Sequence, residues 1–175
     1  MVSKKHNIIL IGFMGSGKTS VGRCLADLLT YQFRDTDQLI ERRLSDTISH
    51  IFAVHGEEFF RTKETELLKE LITELDNTVL STGGGLPMRE QNSKLLKELG
   101  YVVFLKASKE TTLARIKGDT SRPLLQGEDV EKKVERMLEL RTPIYEKAAH
   151  KIIMTDGRSI QEVAHLIMEN YLRQI

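Results

Sequence analysis

Apolar residues recur along this chain in two alternating rhythms. Short continuous runs, Ile8-Ile9-Leu10-Ile11 and Val102-Val103-Phe104-Leu105 among them, read as strands buried on both faces. Between such runs the apolar residues fall three and four apart, the spacing of a helix with one buried stripe. The pattern predicts strands at 7–11, 32–34, 78–81, 102–105 and 151–154. One helical stripe is Leu67, Leu68, Leu71, Ile72 and Leu75. A second is Leu95, Leu96 and Leu99, with Gly100 at the C-cap. Ile160, Val163, Ala164, Ile167, Met168 and Tyr171 form a third. Strands alternating with helices imply an α/β protein, a five-stranded parallel sheet covered on both faces. Ligands of such sheets bind beyond the carboxyl ends of the strands, so the residues just after each strand matter most.

The 175 residues suit a single domain over 1–175, with no linker or internal repeat to divide it. A net charge of +1 supplies no broad basic field, which argues against nucleic acid or membrane as partner. No apolar run approaches membrane-spanning length. Lys4, Lys5 and His6 before an apolar run resemble a signal sequence, but that run is short and leads into glycines rather than a cleavage site. The lone cysteine, Cys24, cannot form an intrachain disulfide and suits a reducing compartment. A cytoplasmic protein is expected.

Candidate chemistry begins after the first strand, in Gly12-Phe13-Met14-Gly15-Ser16-Gly17-Lys18-Thr19. Strand, glycine-rich turn and helix make this spacing a phosphate site. Glycines let several backbone N–H groups converge, and the following helix adds the positive end of its dipole. Lys18 then reaches the terminal phosphates and the Thr19 hydroxyl is placed for a magnesium ion. Asp35 and Asp37 close the second strand, and in an extended chain residues two apart share a side. Beside a phosphate loop, that pair suits a metal-associated carboxylate and a base for a hydroxyl proton. The plainer alternative makes Asp37 the cap of the next helix.

Further along, Arg61 stands three residues before Glu64, which falls on the apolar register of its helix. The pair either ties helix to sheet or holds an arginine rigid to grip an anion. Gly83, Gly84 and Gly85 follow the third strand, where backbone must pass close to a ligand with no side chain between. Residues 118–129 form a polar stretch with glycines near its ends and a stiff Arg122-Pro123 step, the composition of a hinged lid. Arg122 is its candidate for stabilising a migrating phosphoryl group, a role worth ~10³–10⁵ in rate for an arginine finger. Val130, Val134, Met137, Leu138 and Tyr145 share a face with Arg141, which needs an anion there, and Pro143 should kink or end that helix. Arg158, in the turn after the fifth strand, is placed to wall the nucleotide base.

Together these residues describe an ATP- and magnesium-dependent kinase of a small, anionic, hydroxylated acceptor. The chain resembles the shikimate kinases. The resemblance is carried by the glycine loop, Asp35-Thr36-Asp37, Phe60-Arg61, the three glycines, Arg122-Pro123-Leu124-Leu125 and Arg141-Thr142-Pro143-Ile144-Tyr145. It implies the three-layer P-loop kinase fold, with a lid and a small helical substrate-binding region at about 37–64. It also implies transfer of the γ-phosphate of ATP to the 3-hydroxyl of shikimate. Asp37 would be the base, and Asp35 would hold magnesium with Thr19. Arg61 and Arg141 would clamp the carboxylate, and Gly83, Gly84 and Gly85 would line the pocket. Gly15, Ser16, Gly17, Lys18, Thr19, Ser20 and Arg122 would face the nucleotide's phosphates, and Arg115 and Arg158 its adenine. A monomer is expected. Ser45 and His50 depart from the pattern, which often has glycine and glutamate there. The alternatives are a gluconate- or nucleoside-monophosphate-type kinase and a nucleotide-dependent switch. The Asn-Lys-x-Asp motif of guanine-specific switches does not occur in the sequence.

Overall fold

The computed structural model describes residues 5–117 and 129–175. The elements run β1 (Asn7–Ile11), α1 (Lys18–Leu29), β2 (Gln32–Asp35), α2 (Thr36–Leu44), α3 (Ile48–His55) and α4 (Glu57–Glu74). They continue with β3 (Thr78–Ser81), a 3₁₀ turn (Leu86–Met88), α5 (Glu90–Leu99), β4 (Tyr101–Lys106), α6 (Lys109–Ile116), α7 (Val130–Ala148), β5 (Lys151–Met154) and α8 (Ile160–Leu172). The five strands are all parallel, in the order β2-β3-β1-β4-β5. β1 therefore lies at the centre, and the strand order reverses around it, which opens the crevice where ligands of such sheets bind.

Strand alternation divides the core into two layers. Ile9 and Ile11 face one side, packed with Leu67, Leu68 and Leu71 of α4, Leu96 and Leu99 of α5 and Val134 and Tyr145 of α7. Ile8 and Leu10 face the other, against Val21 and Leu25 of α1 and Val163, Ile167 and Tyr171 of α8. Each such fully buried aliphatic side chain contributes roughly 1.5–3 kcal/mol. Among the buried polar side chains, Asn7 ties the central strand to its surroundings. Asn7 donates to the carbonyls of Leu75 and Leu99 at 3.2 and 2.9 Å and accepts from the Thr78 N–H at 3.1 Å, stitching β1 to the chain ends beside it.

Helix starts follow capping chemistry. Thr47, Ser108 and Ser159 accept from the N–H groups of His50, Thr111 and Glu162, and Ser159 with Glu162 completes a capping box. Gly100 ends α5 at the C-cap, as its place in the sequence implies, with φ of 166°. Its lack of a side chain is needed because a Cβ would run into the Asn7 carbonyl. Two expectations are corrected. Of the two outcomes expected at Pro143, a kink or an end of the helix, the end does not occur. α7 runs on to Ala148, and burial of Tyr145 and Ala148 against β4 and the layer beneath outweighs the missing N–H. Asp35 belongs to the strand and caps α2, its Oδ1 accepting from the Gln38 N–H at 3.1 Å. Asp37 therefore sits in the first helical turn, and the strand-period reason given for the two carboxylates sharing a side does not apply.

Candidate active site

The glycine loop turns from β1 into α1 through Gly17, whose φ of 91° is the left-handed region that a side chain would strain. Lys18, largely buried, curls back so that Nζ donates to the carbonyls of Gly12 and Phe13, each at 2.8 Å. In front of the loop lies a cavity of about 290 Å³ lined by Gly15, Gly17, Lys18, Thr19, Ser20, Asp35 and Asp37. Ser16 is buried within the loop, with Nζ of Lys18 3.4 Å from its hydroxyl.

A second cavity, about 520 Å³, opens between α2, α3, α4 and the three glycines. Asp37, Arg61, Glu64, Phe52 and Arg141 line it. The two cavities share Met14, Asp37, Gly83 and Gly84. They meet at Asp37, which borders both.

Electrostatics around that junction are unusual. Oδ1 of Asp37 and Oε1 of Glu64 are buried without a hydrogen-bond partner among the described residues. Burial, reinforced by Asp35 and opposed by Lys18 and Arg61, pushes the Asp37 carboxyl up to about 6. Burial likewise pushes Glu64 up to about 7 against the pull of Arg61. Arg61 is held on two sides, by Oε2 of Glu64 at 2.8 Å from Nη1 and by Oε1 of Glu57 at 3.2 Å from Nη2. Its guanidinium lies over the Phe60 ring, 5.4 Å from the centroid. Arg141, from α7, lies 5.7 Å from the Phe13 ring centroid. The glycines are needed for close approach. A Cβ on Gly85 would overlap the Arg61 guanidinium, and one on Gly84 would lie 3.4 Å from Nη1 of Arg141.

The predicted residues thus converge in large part. Lys18, Thr19, Ser20, Asp35, Asp37, Arg61, Gly83, Gly84, Gly85 and Arg141 all border one or both cavities. Arg115 stands behind the loop, donating to the Gly15 carbonyl at 3.1 Å and to the Thr155 hydroxyl at 3.3 Å. Arg158 borders neither cavity; it lines a shallow groove with Gln161 and His165 of α8. Arg122 and the lid stretch 118–128 lie outside the described residues. His50 is exposed and paired with Asp46 at 2.6 Å.

Several residues in and around the site carry no direct signal in the sequence. Glu41 lies one helical turn after Asp37, a relation visible only once α2 begins at Thr36, and its Oε1 accepts from the Ile48 N–H at 3.0 Å. Met14 occupies a variable position of the loop motif and carries no signal of its own. The hydroxyl of Tyr145 donates to the Gly84 carbonyl at 2.5 Å. Nothing in the sequence pairs those two residues.

A phosphate loop at the switch point of a parallel sheet, opening into an acceptor pocket with two arginines and a shared carboxylate, defines a P-loop kinase of small molecules. The shikimate kinase family model matches residues 14–172, and the chain belongs to that family. It is 45% identical over 170 residues to a shikimate kinase of Thioalkalivibrio sulfidiphilus, covering 97% of this chain and 89% of that one. Its fold superposes with a TM-score of 0.92 on a shikimate kinase from Acinetobacter baumannii solved in complex with shikimate. That protein is 42% identical, with 97% of this chain and 94% of that chain covered. A gluconokinase from Sinorhizobium meliloti, 18% identical with a TM-score of 0.62 over 97% of this chain and 93% of that one, shares the fold alone.

Proposed function

We propose that Asp37 accepts the proton of the reacting hydroxyl while Arg61 and Arg141 bind the acceptor's carboxylate and the loop around Lys18 holds the nucleotide. The reaction is ATP-dependent phosphorylation of the 3-hydroxyl of shikimate to shikimate 3-phosphate, a step of chorismate and aromatic amino acid biosynthesis. The observation that carries the residue assignment is the position of Asp37, bordering both the phosphate cavity and the acceptor pocket.

In this reading shikimate lies with its carboxylate against the guanidinium of Arg61, whose planar fork suits two oxygens, and against Arg141. Its ring rests beside Phe52, Gly83, Gly84 and Gly85. The 3-hydroxyl meets Oδ1 of Asp37, which has no competing partner among the described residues. The hydroxyl oxygen bonds to the γ-phosphorus, the bond to the β,γ-bridging oxygen breaks, and the hydroxyl proton passes to Asp37. Lys18 and the loop N–H groups stabilise charge on the transferring group, and Arg122 does the same from the lid at 118–129. Arg115 and Arg158 border the adenine.

The donor set fits a magnesium ion. The Thr19 hydroxyl and the Asp35 carboxylate are hard oxygen ligands on the phosphate cavity. Magnesium keeps several waters and takes phosphate oxygens as ligands, so one or two protein oxygens suffice to hold it. When bound, magnesium neutralises charge on the β- and γ-phosphates. Residues 37–64 act as the substrate-binding region of a single domain, in a cytoplasmic monomer. A coupled assay with ATP, magnesium and shikimate, run beside gluconate and nucleoside monophosphates, tests the acceptor. A kcat/KM for shikimate below that of another acceptor overturns it.

A further inference from the structure

The wall behind the shikimate pocket is itself hollow. Between the 3₁₀ turn and α5 on one side and α7 on the other lies a third cavity of about 490 Å³, within the range of small-molecule sites. Its floor is apolar: Pro87, Met88, Pro143, Ile144 and Ala148. Ser93 also lines it, but its hydroxyl already donates to the Pro87 carbonyl at 2.9 Å. The remaining polar groups are charged. Lys94, Lys97 and Lys147 stand against a single carboxylate, Glu90. Glu90 is paired with Lys94 at 3.1 Å and also acts on Lys147, so the three ammonium groups exceed the cavity's own acids by two charges. Lys97 rests on the backbone carbonyl of Lys147 at 3.1 Å. Among the described residues Lys147 has no carboxylate within ion-pair distance.

An apolar floor with two excess positive charges selects a flat hydrophobic body bearing one negative group. Shikimate itself, with hydroxyls on its ring, would leave them without acceptors on that floor. We propose that this hollow is a regulatory site for a small aromatic carboxylate, and that filling it weakens the shikimate pocket on the other side of the same wall.

Two segments carry the coupling. Pro87 and Met88 lie one residue, Leu86, beyond the glycines 83–85 that line the acceptor pocket. Pro143 and Ile144 lie between Arg141, which borders that pocket, and Tyr145, whose hydroxyl holds the Gly84 carbonyl. A ring wedged between these segments drives the 3₁₀ turn and α7 apart and stretches the Tyr145–Gly84 bond that joins them. The glycines and Arg141 then lose their mutual position. The phosphate cavity is lined mainly by the glycine loop and the start of α1, with Asp35, Asp37 and Ser81 to Gly84 at its edge, so the nucleotide is less affected. By linkage, shikimate must weaken the carboxylate's binding by the same factor.

The test uses the full-length enzyme with 2-naphthoate as probe and 2-naphthamide as its uncharged counterpart. With shikimate and ADP saturating, so that Arg61 and Arg141 are occupied, 2-naphthoate should still move the methyl NMR signals of Met88 and Ile144. In steady-state assays it should raise the KM for shikimate and leave the KM for ATP unchanged. The double variant Lys97→Gln, Lys147→Gln should keep basal kcat and KM while binding the probe roughly three- to tenfold more weakly. Equal binding of the amide overturns the proposal, as do unmoved methyl signals. Undiminished inhibition of the double variant would place the probe in the shikimate pocket instead. A probe-free increase in mass with protein concentration, lost in the double variant, would make this face a contact between copies. Basal turnover of shikimate without the probe reports on the acceptor assignment separately.

Discussion

Asp37 and Glu64 approach the same point from two helices. A methyl group on Gly83 would lie 2.7 Å from Oδ1 of Asp37 and 3.1 Å from Oε1 of Glu64. Two buried carboxylates thus share one small space, kept open by a glycine and balanced by Lys18, Arg61 and Arg141. The arrangement costs folding energy, because both acids are lifted out of their usual range. It leaves two acceptor oxygens facing the pocket.

Gly83→Ala should fill that space. Overpacking of about 1–3 kcal/mol at the point where the hydroxyl reacts corresponds to a loss of roughly 5- to 100-fold in kcat/KM for shikimate. The KM for ATP should change little. Steady-state kinetics with each substrate varied in turn makes the distinction, and unchanged kcat/KM would show that substrate keeps clear of this point.

Asp37→Asn should lower kcat by ~10²–10⁴, the range of general-base catalysis. Since the carboxyl is raised to about 6, kcat/KM of the unmodified enzyme should fall as pH drops through about 6, and the variant should lack that limb. Stability moves the other way. Below the unfolded value of 3.8 both states hold the proton and the substitution is neutral. Between 3.8 and about 6 the unfolded carboxyl has released its proton while the folded one keeps it, so the cost grows across that window and is complete above about 6, where the folded protein bears the buried charge. Asp37→Asn should therefore raise Tm at pH 8, by an amount worth at most about 3 kcal/mol, and leave it nearly unaltered at pH 3. A Tm gain equal at both pH values would refute the burial cost.

Arg61→Lys keeps the charge but loses the fork that meets Glu57, Glu64 and a carboxylate together. The KM for shikimate should rise about 10- to 100-fold, the worth of one charge-assisted contact. Isothermal titration with shikimate in the presence of ADP reads this directly. A response confined to ATP would remove Arg61 from the acceptor clamp.

Ser45 caps α2 with φ 50° and ψ 41°, left-handed backbone that disfavours side chains. This is one of the two positions where the chain departs from the pattern it resembles, which often has glycine there. Ser45→Gly should stabilise the protein by roughly 0.5–1 kcal/mol with kcat unchanged, measured by denaturant midpoint. A loss of stability would mean that the serine makes a compensating bond.

Much of the architecture could be read from the chain because it rests on local chemistry. The run Ile8-Ile9-Leu10-Ile11 predicts a central strand, and it is buried on both faces. Gly17 and Lys18 predict the turn into α1 because only a glycine takes that backbone angle cheaply and only a long cation reaches back over the loop. Arg141 on an apolar face predicts an anion, since a buried guanidinium requires one. The boundary at Asp35 was less legible: whether a carboxylate ends a strand or begins a helix depends on which N–H it meets, here that of Gln38.

What the sequence alone determined was the kind of protein: a parallel α/β sheet with a phosphate loop, and an acceptor pocket announced by acids, glycines and arginines at strand ends. Each of those signals spans only a few residues, within which spacing dictates local geometry. Tertiary structure decided the rest. It brought Asp37 and Glu64 to either side of Gly83, hung Gly84 from the hydroxyl of Tyr145, and put the apolar hollow behind that bond. Such contacts join residues distant in the chain, and their distances depend on how whole helices pack, which no local pattern encodes.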